Sequence, residues 1–200
     1  MRQLASRGSL ARKLAFAHGR RAVTLIGMPG SGKSYWAQRL ADASGAELAE
    51  LDADIEQAAG GVPLLDMVAE PGGEALLGFL ENKVMFRRYT SLGMQTEFPP
   101  LVISTGGSAV YAKCADRFFL HPSNLVVHLD VAHGVLHRRT EGFSNRGIVF
   151  NGMTPSELHR ERAPLYKRFS DAVARAPEEN DNADALAPED LYWLANFLQA

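Results

Sequence analysis

The sequence predicts an α/β domain, a parallel β-sheet covered by helices on both faces in three layers. Three observations predict it. Short apolar runs at 22–26, 48–51, 101–104 and 125–129 alternate with segments of helical period, the pattern of strands buried between two helical layers. A glycine-rich turn, Gly27-Met-Pro-Gly-Ser-Gly-Lys33-Ser34, joins the first run to a helical segment. The composition is that of a globular chain, with 200 residues, 46% apolar and 22% charged, long enough to bury about 70% of the surface exposed on unfolding.

The elements follow in chain order. Residues 1–22 hold six basic residues and no acid, leaving 15 basic against 23 acidic residues beyond them. This basic extension, 1–21, reads as a short helix with Leu10, Leu14 and Ala17 on one stripe, or alternatively as an organelle transit peptide. The strand 22–26 and the glycine turn lead into a helix over 35–43. After the strand 48–51, the apolar segment 64–68 is set off by Pro71, Gly72 and Gly73 from a helix over 74–91 that aligns Leu77, Leu80 and Val84. Strands 101–104 and 125–129 come next. The stretch 140–153, punctuated by Gly142, Gly147 and Gly152, reads as a mobile loop. Thr154, Pro155 and Glu157 have the spacing of a capping box with proline at the first helical position. From 176 to 190 there are six acids and no base, a solvated linker over 177–187. The stripe Leu191, Leu194 and Leu198 then predicts a terminal helix over 188–200, with Trp193 and Phe197 as anchors, packed on the same domain (22–176).

Several function classes are set aside. A single cysteine, Cys114, forms no internal disulfide and favours a reducing, cytoplasmic setting. The longest apolar runs fall far short of the ~20 residues that span a bilayer. The acidity of residues 23–200 speaks against nucleic-acid binding. His133 and His137 have metal-ligand spacing, but with no third ligand nearby in sequence they predict no zinc site.

The glycine turn carries the chemistry. Glycine, four residues, then Gly-Lys-Ser between a strand and a helix is a phosphate loop. The backbone N–H groups of Gly30, Ser31 and Gly32 wrap a phosphate chain, Lys33 reaches the terminal phosphates, and the Ser34 hydroxyl ligates Mg2+. Asp52 and Asp54 follow the second strand, at the sheet edge where such folds bind ligands. Spaced i and i+2, they are expected to share one crevice, one near Mg2+ and one accepting a hydroxyl proton; the plainer alternative is that either only caps the next helix.

This ordered set resembles the shikimate kinase family. The resemblance runs from about Val23 to Val173 and rests on the phosphate loop, Leu51-Asp-Ala-Asp54, Gly73-Glu74, Ser104-Thr-Gly-Gly107, Arg138-Arg139 with Arg146, and Glu161-Arg162-Ala-Pro-Leu-Tyr166. It implies a phosphate-loop kinase fold of the nucleoside-monophosphate-kinase type, with five parallel strands, the last at 171–174. It also implies that ATP, with Mg2+, phosphorylates the 3-hydroxyl of shikimate. By resemblance Asp52 helps hold Mg2+, Asp54 binds the acceptor and serves as base, Gly106 and Gly107 present amides to it, Arg146 neutralises the transferring phosphate, Arg139 stacks on adenine and Arg162 binds the substrate carboxylate.

Three departures from the family are visible. Leu77-Gly78 stands where the family has Phe-Arg, so a second carboxylate clamp is missing; Lys83, Arg87 and Arg88 follow on the same helix. Ser108 replaces a third glycine, and Ser144-Asn-Arg-Gly-Ile148 lacks the family's lid proline. The expected protein is a monomeric ATP-dependent kinase of a small hydroxylated carboxylate, shikimate first. The alternatives are a kinase of another hydroxylated metabolite, or a non-catalytic ATP and metabolite sensor.

Overall fold

A computed structural model describes residues 21–92, 99–139, 152–175 and 188–199. The basic extension 1–20, the loop 140–151 and the acidic stretch 177–187 lie outside the described residues. Five strands form one sheet: β1 (Ala22–Ile26), β2 (Glu47–Glu50), β3 (Leu101–Ser104), β4 (Asn124–Asp130) and β5 (Ala172–Arg175). Their order is β2-β3-β1-β4-β5 and the pairs are parallel. Central β1 pairs with β3 through Ala22 opposite Leu101 and with β4 through Ala22 opposite Asn124. It is buried along its whole length, as a strand flanked on both edges and covered on both faces must be.

The helices are α1 (Lys33–Ser44), α2 (Leu51–Ala58), α3 (Leu64–Ala69), α4 (Gly73–Leu92), α5 (Ala115–Phe119), α6 (His133–Arg139), α7 (Pro155–Phe169) and α8 (Pro188–Gln199). Helix α1 begins at Gly32, whose φ of 91° no bulkier residue adopts without strain, and ends at Gly45, with φ of 68°. Helix α8 packs on α1 and β1. Its Phe197 is buried in the core, Trp193 stacks on it at 6.5 Å, and the Arg21 guanidinium lies 5.6 Å from the Phe197 ring. Helices α5 and α7 pack on β4. The capping box at the start of α7 is formed: Thr154 Oγ1 accepts from the Glu157 amide, and Glu157 accepts from the Thr154 amide at 2.8 Å.

Two boundaries differ from the sequence expectation. Strand β2 ends at Glu50, one residue before the expected end, and α2 starts at once with Leu51, so both aspartates lie in a helical first turn. The short apolar segment 64–68 is a helix, α3, with only Met67 buried.

Candidate active site

Strand β1 delivers the chain into the phosphate loop at the carboxyl edge of the sheet, where β2 and β3 also end. Gly27 is obligatory there: its φ is +148°, and a Cβ would come within 2.7 Å of the Leu129 carbonyl oxygen. Lys33 is 8% exposed, and its ammonium donates to the carbonyls of Gly27 and Met28, both at 2.9 Å. No side chain caps α1 at Gly32. The positive end of that helix dipole therefore stands at the phosphate loop, where it favours an anion.

A cavity of about 520 Å³ runs from this loop across the sheet edge. Gly30, Gly32, Lys33 and Ser34 of the loop line it together with Asp52, Glu81, Gly106, Gly107, Ser108 and Arg162. The two glycines allow the close packing. A Cβ on Gly106 would meet Asp52 Oδ1 at 2.8 Å and Glu81 Oε1 at 3.3 Å; one on Gly107 would meet Arg162 Nη1 and Pro29 Cδ at 2.9 Å each. Arg162 is 1% exposed, and its guanidinium lies 5.3 Å from the centre of the Tyr111 ring. Tyr166, one turn on, donates to the Gly107 carbonyl at 2.8 Å and stacks on His128 at 4.9 Å. Burial holds the Tyr166 hydroxyl far above, and the His128 imidazole below, their ordinary ranges, His128 down to about 4.

Of the expected site residues, the structure gathers Gly30, Lys33, Ser34, Asp52, Gly106, Gly107 and Arg162 around this one cavity. Ser31 is buried in the loop itself. Asp54 is not brought there. On a helix, residues two apart point about 200° from each other, so when Asp52 faces the cavity Asp54 faces away. Its carboxylate instead accepts from Arg88 Nε and Nη2 at 2.9 and 2.6 Å. The shared crevice expected from the i, i+2 spacing is thereby corrected, and Arg88, bound to Asp54 and to Glu47 at 3.5 Å, offers no substitute clamp. Lys83 and Arg87 are exposed on α4, outside the cavity lining. Arg139 is half-buried at the end of α6, also outside that lining. Arg146 lies outside the described residues.

Two residues were missed in the sequence. Glu50, the last residue of β2, accepts from Ser34 Oγ at 3.1 Å, and Ser34 Oγ lies 3.3 Å from Ser104 Oγ. This all-oxygen set fits Mg2+; the signal for it was a carboxylate ending a strand, two residues before Asp52. Glu81 is the other. It is 4% exposed, accepts from Ser108 Oγ at 2.9 Å, and is pushed up to about 7 by burial. In sequence it interrupts the apolar stripe between Leu80 and Val84. A third histidine ring, His159, stands 5.7 Å from His133, yet no group of three or more candidate ligands able to hold a metal occurs among the described residues.

Known proteins bear on this geometry. The family model for shikimate kinase matches residues 29–189. A shikimate kinase of Bordetella avium is 34% identical over 154 residues, covering 76% of this chain and 69% of that protein. One of Paracidovorax citrulli is 32% identical over 168 residues, covering 82% and 87%. The solved shikimate kinase of Acinetobacter baumannii in complex with shikimate superposes with a TM-score of 0.64 at 21% identity, over 94% of each chain. A phosphate loop opening onto buried acidic and guanidinium groups, a family match over most of the chain, and curated relatives above 30% identity agree with one another: the chain belongs to the shikimate kinase family.

Proposed function

We propose that the chain transfers the γ-phosphate of ATP to the 3-hydroxyl of shikimate. The observation that carries this reading is the single cavity joining the phosphate loop to Asp52, Gly106, Gly107 and Arg162. Lys33 and the loop amides bind the phosphates. Ser34 and Glu50 would hold Mg2+, which when bound neutralises charge on the β- and γ-phosphates. Asp52, which the resemblance assigned to Mg2+, lies against Gly106 and in this reading orients the acceptor hydroxyl and takes its proton, the task first expected of Asp54. Arg162 is rigidly mounted on α7 and forks onto the substrate carboxylate. Arg139 covers the adenine, and Arg146 neutralises the transferring phosphate. In this reading the enzyme is a cytoplasmic monomer that engages neither nucleic acid nor membrane.

The role of Asp52 is tested by 31P NMR of the products formed with Mg-ATP and shikimate. Asp52→Asn is expected to lower kcat by about 10²- to 10⁴-fold, while Asp54→Asn stays within a few-fold of the unsubstituted enzyme. Equal losses in both would return the acceptor role to Asp54.

One observation favours a second reading, a different small hydroxylated acceptor. Gly78 is exposed on α4, with nothing within 4 Å of a Cβ placed on it, and supplies no cation where the family carries its second clamp. With shikimate as acceptor, Gly78→Arg should lower KM roughly tenfold or more, the worth of a charge-assisted hydrogen bond. An unchanged or raised KM would favour the other acceptor.

A further inference from the structure

We propose that Ser108 is a specificity-determining residue of the acceptor pocket, its hydroxyl fixed by buried Glu81 so as to accept a hydrogen bond from an acceptor hydroxyl other than the one phosphorylated. The inference deepens the proposed function and rests on it. Ser108 Oγ donates to Glu81 Oε1 at 2.9 Å, and both residues line the cavity. Asp52 Oδ1, Glu81 Oε1 and Ser108 Oγ lie at 2.8, 3.3 and 3.6 Å from the point where a Gly106 Cβ would stand. Three oxygen-bearing side chains thus converge on one glycine, in a cavity whose lining among the described residues includes one guanidinium, that of Arg162.

The direction of the serine hydrogen bond decides what it recognises. A hydroxyl has one proton and two lone pairs. Glu81 in its charged form only accepts, so it claims the Ser108 proton and leaves the serine lone pairs for a donor. The group that fits is a neutral hydroxyl, while a carboxylate, itself an acceptor, is repelled by Glu81 and Asp52 and left to Arg162. Glu81 sits between buried Leu80 and Val84 on α4, and α2, α7 and the segment after β3 present Asp52, Arg162, Tyr166 and Cys114 toward it. The Ser108 hydroxyl donates to its carboxylate. The backbone at Ser108 has φ −83° and ψ −13°, ordinary right-handed values that alanine and threonine also adopt.

The test compares KM and kcat for shikimate and for its analogues each lacking one non-reacting hydroxyl, in the unsubstituted enzyme, Ser108→Ala and Ser108→Thr. Assays at pH 8 keep Glu81 charged. Ser108→Ala should raise KM for shikimate about three- to tenfold, the loss of one hydrogen bond, with kcat within about twofold. It should leave KM unchanged for one deoxy analogue, the one missing the hydroxyl that Ser108 reads, and Ser108→Thr should restore the original KM. An alanine penalty of zero, or one equal for every analogue, would overturn the assignment. If the unsubstituted enzyme neither binds nor phosphorylates shikimate, the proposed function itself fails and takes this inference with it, an outcome distinct from a penalty of zero in an active enzyme.

Discussion

Glu81 links the chemistry of the pocket to the stability of the fold. Its carboxyl is raised from 4.5 to about 7, chiefly by loss of hydration, with the Ser108 hydrogen bond opposing and the Asp52 charge adding. Because the folded value lies above the unfolded one, the native state binds more protons between pH 4.5 and 7, so this group's contribution falls as pH rises through that window. The full shift corresponds to ~3 kcal/mol. Glu81→Gln is therefore expected to melt above the unsubstituted protein at pH 8, with the gap closing at pH 5. Calorimetry at the two pH values checks this, and an equal gap at both would mean that Glu81 is not held protonated by burial. His128, lowered to about 4 mainly by burial, acts in the opposite sense, losing stability as pH falls from 6.5 toward 4, and cancels in the comparison. None of this was legible in sequence, since a single glutamate in an apolar stripe does not reveal whether it turns inward to a cavity or outward to water.

At the scale of elements, the sequence was most legible where the signals were local. Strands over 22–26 and 101–104 appear with the expected ends, and the Thr154, Pro155, Glu157 spacing forms a complete capping box. Thr154→Ala should lose about 1 kcal/mol, a fall of about 2–4 °C in melting temperature for a domain of this size. No change in melting would show that α7 is held by its packing alone. The costliest misreading was a shift of one residue. Placing the second strand at 48–51 and not at Glu47–Glu50 hides the fact that a helix begins at Leu51. Under the strand reading Asp52 and Asp54 share a face; under the helical one they diverge, Asp54 to Arg88 and Asp52 to the cavity. The boundary thus decides which carboxylate meets the acceptor, and it depends on where the backbone of β2 stops pairing with β3, a long-range fact.

For the whole molecule, alternating strands and helices were enough to give a parallel sheet, because only such a sheet buries so many continuous apolar runs. The order β2-β3-β1-β4-β5 brings the ends of β1, β2 and β3 together, and so gathers Lys33, Asp52 and Gly106 from sites 73 residues apart in the chain. Spacing alone gave each motif but not their convergence, and the oxygen set of Ser34, Glu50 and Ser104 emerged only from it. The central claim is that this convergence performs acceptor-dependent phosphoryl transfer from ATP. The most direct measurement is ADP release by the full chain with Mg-ATP, with and without shikimate, using Lys33→Ala as the blank. The account predicts release that depends on shikimate and disappears in Lys33→Ala. Release at the same rate without shikimate, or undiminished in Lys33→Ala, would contradict it.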